Sequence, residues 1–214
     1  MRVSYKNVVG ILGAMGMFLL TPRVSSAALI TFETVTDSTG FGTPITNQFA
    51  GQGVLFSNTV SVTAGISINE FEFPPKSGKT EALDSGGPMI LDFTLPFEKV
   101  AGFFTYSTSL TLTAFSGPDG MGSVLGAATS AFSSNDALFG DPGSSSNEFL
   151  QISSGTPIGS LEILGNPAGS SFTMDNFSAS TSSAVPEPAT LVLLGSGLTV
   201  LYLEQRRRSK TLQE

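Results

Sequence analysis

Short runs in which apolar and polar side chains alternate recur along the middle of this 214-residue chain. Because successive side chains of a β-strand point to opposite faces of a sheet, each run predicts a strand with one buried face. The clearest runs are residues 30–32, 60–63, 89–95, 110–113, 161–163 and 172–175. Clusters of proline and glycine separate the runs, and no segment between the two ends shows a long helical period. This pattern predicts an all-β fold, a single antiparallel β-sandwich or jelly roll.

The N-terminus has the parts of an export signal. Two basic residues near the start are followed by an almost wholly apolar run over residues 8–20, and then by a group of small residues. This order predicts a signal peptide over residues 1–27, with cleavage after Ala27 or Ala28. The apolar run is too short to span a membrane.

The C-terminus combines a short proline motif, an apolar run and a basic cluster. The motif is Val185-Pro186-Glu187-Pro188, the apolar run covers residues 189–203, and the cluster is Arg206-Arg207-Arg208. A helix over the apolar run would be about 22 Å long, which is somewhat less than the roughly 30 Å of a bilayer core. We expect a slightly short transmembrane helix there, with the arginines and the tail at 209–214 on the cytoplasmic side.

Residues 185–208 resemble a PEP-CTERM sorting signal in their motif, apolar run, basic cluster and terminal position. The resemblance implies that an exosortase, a membrane-embedded protease, recognises the segment and cleaves it near Pro186-Glu187-Pro188. It also implies a Gram-negative bacterium that makes extracellular polysaccharide. The protein would use the secretion machinery, stay anchored in the inner membrane during transit, and then reach the cell surface or the extracellular matrix of a biofilm. A plain single-pass anchor without processing is the alternative.

Between the two signals, the sequence predicts one domain at residues 28–178 and a Ser/Ala/Thr-rich spacer at 179–184. Residues 28–184 contain three lysines, no arginine and 14 acidic residues, a net charge of −11. Nucleic acid and acidic polymers are therefore poor partners for such a surface. Divalent cations are suitable partners, and solubility alone is the alternative reason for the charge.

The chain contains no cysteine, no histidine and no tryptophan. These absences exclude thiol proteases, Ser-His-Asp hydrolases and His-ligated zinc or copper sites. No motif singles out the two carboxylates that a glycoside hydrolase needs, and no Gly-rich phosphate loop is present. We therefore expect no catalytic site and no enzyme. Most phenylalanines are expected in the core, although one of Phe103, Phe104 and Tyr106 could be exposed to stack on a sugar.

The predicted domain also resembles, more loosely, the jelly-roll domains of PEP-CTERM proteins and galactose-binding-like carbohydrate modules. The resemblance is carried by Ile30-Thr31-Phe32-Glu33, by Gln52-Gly53-Val54-Leu55-Phe56 and by residues 171–177. It implies a structural calcium near the pairing of the first and last strands, held by Glu33, Asp175 and backbone carbonyls. Calcium prefers roughly six to eight oxygen ligands of these kinds. The alternative is that Glu33 and Asp175 are exposed strand or turn residues, as we expect for Asp119 and Asp141.

These observations favour a non-enzymatic, exported surface or matrix protein that binds exopolysaccharide or calcium, or that fills the matrix. One alternative is a carbohydrate-active enzyme acting on exopolysaccharide. Another is an adhesive structural protein that self-associates through sheet edges. Two carboxylates in a concave site would favour the enzyme, whereas one calcium between the terminal strands would favour the binding module.

Overall fold

The computed structural model of the chain describes residues 26–181. The sorting motif, the helix predicted over 189–203, the tail and nearly all of the predicted signal peptide lie outside these residues. The described part is all-β, with 12 strands and a single 3₁₀ turn at Ala50–Gln52. Within residues 26–181, no helix has the length and apolar character needed to cross a membrane.

The strands have the following bounds: β1 Ala27–Ile30, β2 Thr43–Pro44, β3 Val54–Ser57, β4 Thr59–Thr63, β5 Thr80–Asp84, β6 Met89–Phe93, β7 Lys99–Tyr106, β8 Thr111–Phe115, β9 Val124–Thr129, β10 Glu148–Ser153, β11 Ser160–Leu164 and β12 Phe172–Ser180.

The strands form two antiparallel sheets. Sheet 1 has seven strands in the order β10-β7-β12-β5-β4-β2, and β1 also pairs with β12. Sheet 2 has five strands in the order β3-β6-β11-β8-β9. Buried apolar residues from both sheets belong to one core cluster. The prediction of an all-β fold in two antiparallel sheets is therefore confirmed.

The core is rich in phenylalanine. Phe104 of β7 and Phe172 of β12 are fully buried, and their ring centroids lie 6.4 Å apart. At the edge of the core, the rings of Phe32, Phe49 and Phe56 pack edge to face, with centroids 5.6–5.9 Å apart. Edge-to-face packing is the arrangement that ring quadrupoles favour. The phenylalanines thus supply the stability that disulfides cannot give this chain.

The two ends of the described chain meet. The Thr181 N–H donates to the Ser26 carbonyl at 2.9 Å, and β1 pairs with the last residues of β12. Strand β1 already begins at Ala27, the last residue of the predicted signal peptide. Strand β12 continues through Ser180, two residues into the segment predicted as a spacer, because Ala179 is buried in the core and pairs with Ala28.

The outer face of sheet 1, the face turned away from the core, is partly covered by residues 64–79, here called the covering segment. The Pro74 carbonyl accepts a hydrogen bond from the Asn147 side chain, and the Glu72 carbonyl accepts one from the Ala137 N–H. The segment explains a departure from the alternation rule in β4. There Ser61, not Val62, shares the core side with Ala82, while Val62 lies on the outer face and is still only 2% exposed.

We expect Phe104→Ala to destabilise the domain by about 3–5 kcal/mol, because it leaves a cavity between the sheets. Phe139→Ala is the matched control, since that ring is 77% exposed and its removal should cost less than about 0.5 kcal/mol. Urea unfolding of the purified variants, followed by circular dichroism, measures both values. Equal midpoints for the two variants would contradict the assignment of Phe104 to the core.

Candidate functional site

Two carboxyl groups lie side by side on the outer face of sheet 1. Met174 of β12 pairs with Ala82 of β5, so the adjoining residues Asp175 and Glu81 are neighbours across the two strands. Both residues are 1% exposed. The covering segment contacts the pair at Asp175, whose carboxylate accepts the Ser77 N–H.

Asp175 anchors the covering segment to the sheet. One carboxylate oxygen accepts the Ser77 N–H at 2.8 Å, and the other accepts the Asn176 N–H at 2.6 Å. Asn176 has a φ of 48° and lies where the pairing of β12 with β7 shifts register. Burial raises the pKa of Asp175, and the negative charge of Glu33 raises it further.

Glu33 reaches the same place from the chain that follows β1. Its Oε1 accepts the N–H groups of Lys79 and Thr80, at 2.9 and 2.8 Å. The structure therefore brings the two residues predicted as calcium ligands close enough for their charges to interact. Each of them, however, already accepts backbone hydrogen bonds that tie down the covering segment.

Glu81 is the residue of this cluster that sequence reasoning missed. Its Oε1 is buried and accepts no hydrogen bond. Burial raises the pKa of Glu81 to about 8; the neighbouring Thr173 hydroxyl opposes the rise, and the Asp175 carboxylate adds to it. Residues 80–84 show no apolar alternation, so nothing in the sequence marks this glutamate as buried.

Carboxylate oxygens are the main side-chain ligands that this cluster could provide to a cation. Within residues 26–181, no three acidic side chains are placed to hold a metal ion together. A calcium ion bound by Glu33 and Asp175 would need backbone carbonyls or water for its remaining ligands. The mutual repulsion of these two carboxylates is the observation that favours such an ion.

A second feature of the outer face is a pair of accessible aromatic rings. Phe103 of β7 is half-buried, Phe149 of β10 is 52% exposed, and their ring centroids lie 5.2 Å apart across paired strands. The ammonium of Lys76, on the covering segment, lies 4.4 Å from the Phe103 centroid. Of the three aromatic residues considered from the sequence, Phe104 and Tyr106 are fully buried. Sequence reasoning missed Phe149, because β10 was not recognised as a strand.

A small cavity lies at the start of β10. Its volume is about 260 Å³, and its lining includes Phe132, Asn147 and Glu148. The Tyr106 hydroxyl donates to the Glu148 carboxylate, which also accepts the Ala131 N–H. Burial, together with Glu148, raises the pKa of Tyr106 to about 12. Glu148 is thus held in a structural role.

The two aspartates predicted in turns have turn roles. Asp119 has a φ of 54° and precedes Gly120, and its N–H donates to the Asp92 carboxylate at 2.7 Å. Asp141 accepts the Ser133 N–H at 2.8 Å within the 130–147 loop. Aspartate tolerates the left-handed conformation and bonds nearby amides, which is why it suits such positions.

Residues 184–208 match the PEP-CTERM protein-sorting motif. The match contains the proline motif at 185–188 and the arginines at 206–208, so the sequence prediction of a sorting signal is confirmed. The motif implies an exported protein that passes through the membrane and is processed by an exosortase. No curated protein matches the chain in sequence.

Distant likenesses to solved structures cover the β-rich part. The K2 cleaved adhesin domain of Lys-gingipain aligns with a TM-score of 0.43 and 8% identity, over 72% of this chain and 98% of that chain. The family 29 carbohydrate-binding module from Piromyces equi aligns with a TM-score of 0.38 and 9% identity, over 77% and 96%. The K3 adhesin domain of Lys-gingipain from Porphyromonas gingivalis W83 gives 0.38 and 11%, over 74% and 100%. At these scores no role is transferred to this chain.

We expect the stability of the domain to fall as pH rises toward 8 because of Glu81. A raised pKa means that the folded state holds the proton more tightly than the unfolded state, so stability is highest below the ordinary pKa of 4.5 and is lost up to about 8. Glu81→Gln cannot ionise and should be more stable than the wild type at pH 8 by about 1–4 kcal/mol. At pH 4 the two should be similar.

Urea unfolding at both pH values, with a chelator present, measures this difference. Glu162→Gln, on the opposite sheet, is the matched control and should leave the pH profile of the wild type unchanged. A Glu81→Gln variant that is less stable than the wild type at pH 8 would contradict the assignment of a buried, unpaired carboxyl.

Proposed function

We propose that this protein is an exported, non-enzymatic surface or matrix protein that binds exopolysaccharide through the outer face of sheet 1. The observation that carries the proposal is the Phe103–Phe149 ring pair, which lies beside the covering segment rather than in the core. Aromatic rings with accessible faces stack on the apolar faces of sugars. Gln151 follows on the same face of β10 and is exposed, so it can add hydrogen bonds beside the stacked ring.

The arrangement of the carboxyl groups favours binding over hydrolysis. A glycoside hydrolase needs one carboxyl to donate a proton and another to act as base or nucleophile. Glu33 and Asp175 hold backbone N–H groups, and Glu81 is buried. We therefore propose no catalytic role for this cluster, and the carbohydrate-active enzyme remains the less favoured alternative.

The sorting motif supports a place outside the inner membrane of a Gram-negative bacterium. Signal peptidase and an exosortase would remove the two ends, and the domain would reach the cell surface or the extracellular matrix. Because Ser26 and Thr181 are hydrogen-bonded to each other, both processed segments would leave the domain at one pole. The remaining surface would be free to meet polymer. Self-association through sheet edges is the alternative matrix role.

Phe149→Ala should weaken binding to the exopolysaccharide purified from the producing bacterium by about tenfold. The reason is that stacking of a sugar ring on one accessible phenylalanine face contributes about 1–2 kcal/mol. Affinity electrophoresis of the purified full-length protein in gels with and without the polymer measures the loss. Phe139→Ala removes a ring that is even more exposed, 77% against 52%, from the 130–147 loop, and should bind like the wild type. If the polymer gel retards the wild type and Phe149→Ala equally, the outer face of sheet 1 is not the binding site.

We propose calcium as a structural ligand held by Glu33 and Asp175, with backbone carbonyls or water as its remaining ligands. The support comes from the repulsion between these two carboxylates. A divalent cation would offset that repulsion and hold the covering segment against the sheet. Extracellular calcium sites are often weak, so we expect calcium to bind this site at millimolar concentrations.

Millimolar calcium should then stabilise the full-length protein by about 1–3 kcal/mol, the gain expected at roughly 10–100 times the dissociation constant. Glu33→Gln should abolish the gain, because it removes a ligand charge while keeping the side-chain shape. Glu162→Gln is again the control and should keep it. Thermal unfolding with calcium, with magnesium and with a chelator provides the measurement, and a wild type that does not respond to calcium would exclude the site.

A further inference from the structure

The basic side chains of the domain are few, and two of the three lie along one strip of the outer face of sheet 1. Lys76 lies over the Phe103 ring. Lys99 opens β7, the strand that carries Phe103, and it is exposed. Residues four apart on a strand share a face and are about 13 Å apart along it. We call the set Phe103, Phe149, Gln151, Lys76 and Lys99 the lysine strip.

The pairing of β10 with β7 sets the order of groups along the strip. Phe149 lies opposite Phe103, Gln151 opposite Ala101, and Ser153 opposite Lys99. The strip therefore presents a ring pair with one ammonium at one end, an amide in the middle and a second ammonium at the other end. This spacing suits an extended chain that lies along the strand direction.

The acidic groups nearest the ring pair are already engaged or buried. Asp175, paired with Phe103 across β12 and β7, accepts the Ser77 and Asn176 N–H groups. Glu81, beside it, is 1% exposed.

Glu33, which interacts with Asp175, is exposed, and its Oε1 accepts the Lys79 and Thr80 N–H groups. The charged group in contact with the Phe103 ring is the ammonium of Lys76.

The net charge of the domain does not decide which polymer can bind here. At physiological ionic strength, charges more than about 8 Å away from a bound group are largely screened. Each ammonium group of the strip can therefore attract its own anionic group of a polymer, even on a chain whose residues 28–184 carry a net charge of −11. The expectation from composition that acidic polymers are poor partners treats the charge as evenly spread, and the lysine strip shows that it is not.

We infer that the lysine strip binds an anionic polysaccharide whose sugar units carry carboxylates. A sugar ring stacks on Phe149, and carboxylates of neighbouring units pair with Lys76 and Lys99. Gln151 donates to a hydroxyl between them. This inference rests on the proposed glycan-binding function and narrows it to acidic glycans.

The probes are polygalacturonate and its fully methyl-esterified form, which share a backbone and differ in charge. Affinity electrophoresis of the full-length protein should show binding to polygalacturonate about tenfold tighter than to the ester in low salt. The preference should shrink as salt rises. The double variant Lys76→Gln, Lys99→Gln should lose the preference while still binding the ester like the wild type.

Lys79→Gln is the matched charge control, because Lys79 is the last residue of the covering segment and directly precedes β5, which lies two strands to the side of β7, about 10 Å away. It should keep the preference for the acidic polymer. Equal binding of acid and ester by the wild type would overturn this inference and leave the glycan function standing. Binding of neither polymer would also overturn this inference, while retention by the host exopolysaccharide would still decide the glycan function. If Lys79→Gln loses the preference for the acidic polymer as fully as the double variant does, the binding is nonspecific ion exchange and the inference is overturned.

Discussion

The pairing of β12 between β7 on one side and β5 and β1 on the other is the interaction on which the rest of the domain depends. This last strand contributes Phe172, Met174 and Phe177 to the core, and its Asp175 holds the covering segment by the Ser77 N–H. Sheet 1 is therefore complete only when the last nine strand residues of the domain are in place. The sorting motif begins at residue 184, three residues after Thr181.

The covering segment changes what the outer face of sheet 1 can do. Near the middle of the sheet, Glu81 and Asp175 are shielded from solvent. The Phe103–Phe149 rings stay accessible beside the covering segment. Buried carboxyls raise each other's pKa, so this burial costs stability unless a proton or a cation is bound. The same segment places Lys76 over Phe103. The covering segment thus contacts both the carboxyl cluster, through Asp175, and the lysine strip, through Phe103.

Much of the fold could be predicted from alternation, because most strands bury one face against a single core. The runs at 89–95 and 172–175 became β6 and β12 with Leu91, Phe172 and Met174 in the core. In β4 the alternation pointed the wrong way, since a segment distant from the core covers Val62. Strand β10 was missed, because its outward side chain Phe149 is apolar and hides the period of two. Glu33 and Asp175 were linked through a resemblance; Glu81 had no local signal, since only its neighbours in space make it buried.

Charge illustrates the same difference between composition and placement. Composition describes an acidic chain, and a uniform acidic surface would repel acidic polymers at long range. Binding, however, depends on the charges within a Debye length of the ligand. A net negative charge favours repulsion between copies of a protein, and in this domain the acidic residues that carry it are not part of the lysine strip. The acidic composition and the proposed binding of an acidic chain are therefore compatible, because different parts of the surface would carry the two properties.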